Sequence, residues 1–168
     1  MTTIAAPPQG PDLRGTVAVD FLYLELSTCS RCGGTDTNLD RALAALDDIL
    51  PSIGAQVEVR RIHVQSLEQA RELQLVTSPT IRVDGHDISP KPVESECGTD
   101  GCGCGAGGSC RLWRYAGADH PAAPVGLIVD AVLSALYAGP AVAVAPVSYE
   151  VPDNLVRALA GGRGGCCG

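Results

Sequence analysis

Apolar residues recur along this chain with two different periods, and the alternation sets out a mixed order of strands and helices. Residues 16–26, Thr-Val-Ala-Val-Asp-Phe-Leu-Tyr-Leu-Glu-Leu, form a run of branched and aromatic residues. It predicts a first strand, apolar enough to be central and covered on both faces. Leu39, Leu43, Leu46 and Leu50 then return at helical spacing. They predict a helix from Asp36 to Leu50, capped by Thr35 or Thr37 and stopped at Pro51. Residues 55–64, AQVEVRRIHV, read as a second strand. Val57 and Val59 share one phase, Ile62 and Val64 the other, which predicts a bulge near Arg60–Arg61. Ser66 and Gln69 have capping-box spacing and open a short helix carrying Leu67, Ala70 and Leu73.

The second half is more broken. Thr77-Ser-Pro79-Thr leads into Ile81–Val83, and Asp84-Gly85 predicts a hairpin turn to a short strand around Asp87–Ile88. Residues 89–110 interrupt the pattern with Pro, Gly, acids and four cysteines. Arg111–Tyr115 reads as a further strand segment, with Trp113 and Tyr115 packing in the core beneath the insert. A helix over 125–138 follows, turning Ile128, Val132, Ala135 and Leu136 inward. An Ala/Val/Pro linker runs on to Pro152, which suits the start of a short helix ending at Gly161-Gly162. The expected organisation is a lead-in over 1–15, one α/β domain over 16–138 with a Cys/Gly-rich insert at 89–110, and a linker, short helix and tail over 139–168.

Composition narrows the function classes. A formal net charge of −7 over 168 residues argues against nucleic acid or an anionic membrane as partner, because both select clustered Lys and Arg. The apolar stretch 125–147 contains Asp130, Pro140 and Pro146, and its helical part of about 14 residues is too short to cross a bilayer. The first fourteen residues lack both a basic start and an apolar core, so no signal peptide is read there and the expected compartment is the cytoplasm.

Eight cysteines carry the candidate chemistry, because in a reducing compartment they bind metals or do redox work rather than staple the fold. Cys29-Ser-Arg-Cys32 lies at the end of the first strand and ahead of a helix. The free N–H groups of a helix terminus favour a thiolate there, and Arg31 adds positive charge. Half of a zinc site is the bland alternative. Gly33-Gly34 follows directly, and two glycines cost about 2 kcal/mol of helix propensity relative to alanine. The helix is therefore expected to start only after them, leaving the thiols on a loop that closes round an ion.

The second group, Cys97, Cys102, Cys104 and Cys110, sits among glycines within 14 residues. Four such thiolates supply a tetrahedral set for zinc, an iron–sulfur ligand set, a soft-metal site or a pair of disulfides. The third, Cys166-Cys167, ends the chain on a glycine-rich arm suited to exchanging a soft ion with another thiol pair. His63, His86 and His120 have no partner spacing and read as structural or solvated.

The order β–Cys-x-x-Cys–α–β–α–Ser-Pro-Thr–β–β–α resembles the thioredoxin fold over roughly 16–138. The resemblance implies a cis-proline at Pro79 facing Cys29 and Cys32. LELSTCSRCGG, SPTIRVDGHDI and the later Cys-rich insert together resemble a bacterial thioredoxin-like family of which some members carry an alkylmercury-lyase label. Cys166-Cys167 resembles the carboxyl-terminal vicinal pair of mercuric reductases, which captures Hg(II) and passes it inward. The function so implied is thiol-based binding, transfer or organomercurial cleavage of soft metals such as mercury or arsenic. Cys166-Cys167 would capture the ion, Cys29-Cys32 would receive it, and Asp36 would be the nearest proton donor. The alternatives are a thiol–disulfide oxidoreductase, with Cys29 attacking and Cys32 resolving, and a non-catalytic zinc or iron–sulfur module. The expected partners are a small thiol or metal–thiolate substrate and a thiol reductase.

Overall fold

The computed structural model describes residues 15–96, 109–138 and 148–160. The expected lead-in over 1–14, linker over 139–147 and tail over 161–168 lie outside the described residues.

Strand β1 (Thr16–Tyr23) runs parallel to β2 (Gln56–His63) and antiparallel to β3 (Thr80–Val83), which pairs with the two-residue β4 (His86–Asp87). The sheet order β2-β1-β3-β4 makes β1 an interior strand, as its apolar run predicts. Period 2 splits its side chains between two cores. Val17, Val19 and Phe21 join Ile81 and Val83 on one face, under α1 (Ser30–Asp47) and α3 (Val125–Tyr137). Leu22 points to the other face with Val64, Ala70, Leu75 and Leu155, under α2 (Leu67–Glu72) and α4 (Asp153–Ala160).

That division corrects the expected bulge. The β1–β2 register runs unbroken from Thr16↔Gln56 to Tyr23↔His63. The apparent change of phase arises because β2 packs apolar residues on both faces: Val57 and Val59 meet the larger core, Ile62 the smaller. Arg60 and Arg61 also point opposite ways, Arg60 to Asp20 and Arg61 to Asp36 and Asp40 of α1.

The hairpin between β3 and β4 turns where expected, with Asp84 at φ 49° and Gly85 at φ 81°. Two successive positive φ values suit a two-residue hairpin turn, and glycine adopts them without steric cost. Ser66 caps α2 by accepting the Gln69 N–H at 3.1 Å. Helix α3 buries Ile128, Val132 and Leu136, while Ala135 is only partly buried against the same core. Helix α4 is anchored in the smaller core by Leu155, so residues 153–160 pack on the same sheet as the elements before residue 138.

A second, three-stranded antiparallel sheet was not foreseen. It consists of β5 (Val93–Glu96), β6 (Ser109–Tyr115) and β7 (Ala118–His120), in the order β5-β6-β7. Trp113 on β6 is fully buried, as expected. Tyr115 is half-buried and donates its hydroxyl to Asp130 of α3 at 2.7 Å. Among the described residues no helix is long and apolar enough to cross a membrane.

Candidate functional site: a dithiol at a helix terminus

Helix α1 does not wait for Asp36. It begins at Ser30, with Cys29 as its N-cap, and takes Cys32, Gly33 and Gly34 into its first turn. The Cys32 N–H donates to Cys29 Sγ at 3.4 Å, and the Gly33 N–H to the Cys29 carbonyl at 2.9 Å. A sulfur here plays the part that serine or aspartate oxygen plays at other helix starts. The glycines are explained by space rather than by propensity. A Cβ on Gly33 would stand 3.3 Å from the Leu26 carbonyl oxygen, and one on Gly34 would stand 3.1 Å from Ala122 Cβ. The start of the helix is packed so tightly against its neighbours that a larger residue would need one of them to give way by a few tenths of an ångström. Tertiary contact thereby offsets the helix propensity that the two glycines lack. The next turn is tied down as well: buried Thr35 accepts the Ala123 N–H at 3.1 Å, and Asn38 donates to the Ala123 carbonyl at 2.9 Å.

Cys29 and Cys32 both carry thiols, and they are 1% and 2% exposed. They share a buried cluster with Cys110, against Tyr23 and Leu26. Cys110 is disulfide-bonded. The loop before β3 closes the other side. Ser78–Pro79 is a cis peptide bond, as expected for Pro79. Ser78 Oγ lies 3.8 Å from Cys32 Sγ and accepts the Leu24 N–H at 3.2 Å.

Cys110 is held over the thiols from both sides. Arg31 Nη1, from within the Cys29–Cys32 turn, donates to the Cys110 carbonyl at 3.0 Å. The Arg111 N–H donates to the Ser78 carbonyl at 3.2 Å. The Arg111 side chain, 0% exposed, anchors this strand to the first sheet. It bonds both carboxylate oxygens of Asp87 at 2.8 and 2.9 Å, Thr80 Oγ1 at 3.0 Å and the Ser89 carbonyl. Its guanidinium also sits 4.2 Å from the centre of the Trp113 ring. A planar guanidinium serves bidentate and stacking contacts together, which lysine cannot.

Asp36 lies one turn beyond Cys32, and its Oδ1 accepts from Arg61 Nε at 2.7 Å. The structure directs its carboxylate to β2 rather than bringing it among the sulfurs. Cys97, Cys102, Cys104, Cys166 and Cys167 lie outside the described residues. Among the described residues, no group of three His, Cys, Asp or Glu side chains is arranged to hold a metal ion. His63 is structural: it stacks on Tyr23 with ring centres 5.1 Å apart and bonds the Leu24 carbonyl at 2.9 Å. In the loop leading to Cys29, Glu25 accepts the Ser27 hydroxyl at 2.5 Å and the Ser27 N–H at 2.7 Å. The hydroxyl bond first, then the N–H bond, holds the Glu25 carboxyl below the usual range.

Sequence reasoning missed Ser78 and Arg111. Ser78 was legible as the neighbour of Pro79. Arg111 shares its strand phase with Trp113, and a charged residue on the buried phase of a strand calls for an acidic partner.

These features define a mixed α/β protein with a buried dithiol at the amino terminus of its longest described helix. A family model described as "Domain of unknown function (DUF2703)" matches residues 17–132. That is well over half of the chain, and the chain belongs to this family. No curated protein and no solved structure matches it.

Proposed function

We propose that this chain is a thioredoxin-like protein that works by thiol–disulfide exchange, with Cys29 as nucleophile and Cys32 as the resolving thiol. The observation that carries this reading is the Cys32 N–H directed at Cys29 Sγ, at the start of an 18-residue helix. An amide donor and the positive end of a helix dipole favour thiolate over thiol, and the thiolate is the attacking species. A loose loop that closes round an ion requires a delayed helix start. Helix α1 starts at Ser30, which favours exchange chemistry over metal handling. The parallel β1–β2 pair, the antiparallel β3–β4 hairpin and Pro79 beside the dithiol support the thioredoxin-like assignment.

Exchange proceeds in two balanced steps. Cys29 thiolate attacks a disulfide sulfur, forms a mixed disulfide and expels a thiolate. Cys32 then attacks Cys29 Sγ, closing the Cys29–Cys32 disulfide and releasing the second thiolate. The test measures reduction of a glutathione mixed disulfide by the full chain and by Cys29→Ser and Cys32→Ser variants. Cys29→Ser should fall to the background rate, while Cys32→Ser should stall with the mixed disulfide on Cys29. Equal rates for all three proteins would sink the reading.

A second reading, handling of soft metals such as mercury or arsenic compounds as substrate, is favoured by one observation: the near-complete burial of both sulfurs. Two soft donors in an apolar setting suit a small soft ion better than a docking protein. Anaerobic titration with Hg(II) against a competing small thiol should then load one ion per Cys29–Cys32 pair. The site should survive truncation of residues 161–168, with slower loading if the Cys166-Cys167 arm delivers the ion. No competition above the level of a Cys29→Ser, Cys32→Ser double variant would remove this reading.

A further inference from the structure

We propose that this chain pairs with a second copy of itself along the outer edge of β2, antiparallel and in the register centred on Val59. The two four-stranded sheets then join into one. The inference is independent of the exchange reading above.

Strand β2 ends the order β2-β1-β3-β4, so among the described residues it is paired on one side only. The Gln56 N–H donates to the Gly15 carbonyl, and the Val64 N–H to the Tyr23 carbonyl. Even-numbered residues therefore turn their backbone groups towards β1. Those of Val57, Val59, Arg61 and His63 turn outward, because alternate residues of a strand bond the same neighbour. None of the eight residues of β2 is buried. Natural sheet edges are blunted by shortness, proline or a bulge. The opposite edge, β4, has only two residues. By contrast β2 is long, free of proline and unbroken in register from Gln56 to His63. Such an edge is a template for another strand.

The charges on β2 select that strand. In a symmetric antiparallel pair, opposed side chains share a face, so the two-fold axis runs through a single residue. With the axis at Glu58, glutamate meets glutamate. With it at Arg60 or Arg61, arginine meets arginine. With it at Val59, valine meets valine, and each Glu58 lies opposite Arg60 of the other copy. Like charges directly opposed destabilise a pair and opposite charges stabilise it, so this register is the favoured one. Both side chains are available for it. Glu58 is exposed and has no ion-pair partner among the described residues. The Arg60 side chain is 68% exposed and bonds Asp20 through Nε and Nη2, which leaves Nη1 for a carboxylate across the edge. A foreign strand would need this same order of charges, which a second copy already carries. The pairing also keeps the two dithiols apart. Because β1 is parallel to β2, the carboxyl ends of the two β1 strands, where Cys29 and Cys32 follow, lie at opposite ends of the joined sheet.

Sedimentation velocity of the full chain, with a thiol reductant to exclude disulfide-linked species, should show a monomer–dimer equilibrium. Glu58→Arg turns both attractive pairs repulsive and should weaken the dimer about tenfold. Arg60→Glu should weaken it likewise. Mixed in equal amounts, the two variants again oppose unlike charges, and a heterodimer should form over the concentration range of the wild type. A further reading needs no variant to fold. Hydrogen exchange at the Val57, Val59 and Arg61 amides should slow as the wild-type protein is concentrated, while Gln56 and Val64 are unchanged. A dimer indifferent to Glu58→Arg, or slowed exchange only away from β2, overturns the pairing. A wild-type chain that stays monomeric overturns it too, and would assign the edge to an extended segment of another protein.

Discussion

The two sheets of this protein share one apolar core but differ in what fixes their position. The four-stranded sheet lies between two apolar cores, one under α1 and α3 and the other under α2 and α4. The three-stranded sheet sends Trp113 into the larger of these cores and adds a polar clamp, Arg111 reaching across to Asp87, Thr80 and the Ser89 carbonyl. Apolar burial is strong but non-directional, so it fixes which faces meet and tolerates small shifts. A bidentate guanidinium–carboxylate pair fixes angle and distance. The clamp sits one residue from Cys110, where position relative to Cys29 and Cys32 matters most. Where a fold must aim a reactive group, directional bonds at the junction achieve what core packing alone does not.

Arg111→Ala should have the largest effect. Removing one partner of a buried pair leaves Asp87 uncompensated, and such losses cost about 3–5 kcal/mol. Asp87 is itself 22% exposed, so urea unfolding should show a loss near the lower end of that range. Cys110, one residue away, should also cover the dithiol less closely, and alkylation of Cys29 should quicken in the same protein. A change too small to measure would mean that the apolar contacts of Trp113 hold the second sheet without the clamp.

Leu155→Ala tests the other side. Truncating a buried leucine costs about 2–5 kcal/mol, and the smaller figure is expected here because Leu155 sits in the smaller core and α4 is only eight residues long. Thermal unfolding should fall while alkylation of Cys29 and disulfide exchange remain unchanged. Altered thiol reactivity would show that the two faces of the sheet are coupled. Ser78→Ala should be milder still, about 1 kcal/mol for a lost neutral hydrogen bond to the Leu24 N–H. Its more telling effect should be on the resolving step, measured as slower loss of mixed disulfide in an otherwise wild-type chain.

The smallest effect is a titration. Tyr115 is held above its ordinary pKa, first by its hydrogen bond to Asp130, then by desolvation and by the carboxylate's charge. A phenol with a raised folded-state pKa contributes stability that is complete below the unfolded value. That contribution is lost as pH rises through the folded value. In Asp130→Asn, absorbance at the phenolate band should show one tyrosine titrating at lower pH, toward about 10. An unchanged curve would mean that the β6–α3 contact does not depend on this bond.

Much of the first sheet was legible in the chain because local pattern and tertiary position agree there. The apolar run of β1, the Ser66 cap, the Asp84-Gly85 turn and the helix at Ile128, Val132 and Leu136 each carry a short-range signal. The Cys-x-x-Cys and the proline at 79 were also readable, as motifs with fixed neighbours. The sequence alone thus determined where the thiols lie along the chain and which strand and helix flank them.

The remaining features depend on contacts far apart in sequence. Gly33 and Gly34 weaken a helix by propensity, yet α1 includes them, where Leu26 and Ala122 approach so closely that an added Cβ would need a neighbour to give way by a few tenths of an ångström. Propensity sees only the chain's own neighbours. The shift of phase in β2 looked like a bulge because alternation assumes one buried face, and this strand packs on two. The meeting of Cys110 with Cys29 and Cys32 depends on Arg111 finding Asp87, 24 residues earlier. No local pattern carries that distance, because the pairing is chosen by the geometry of two sheets brought together.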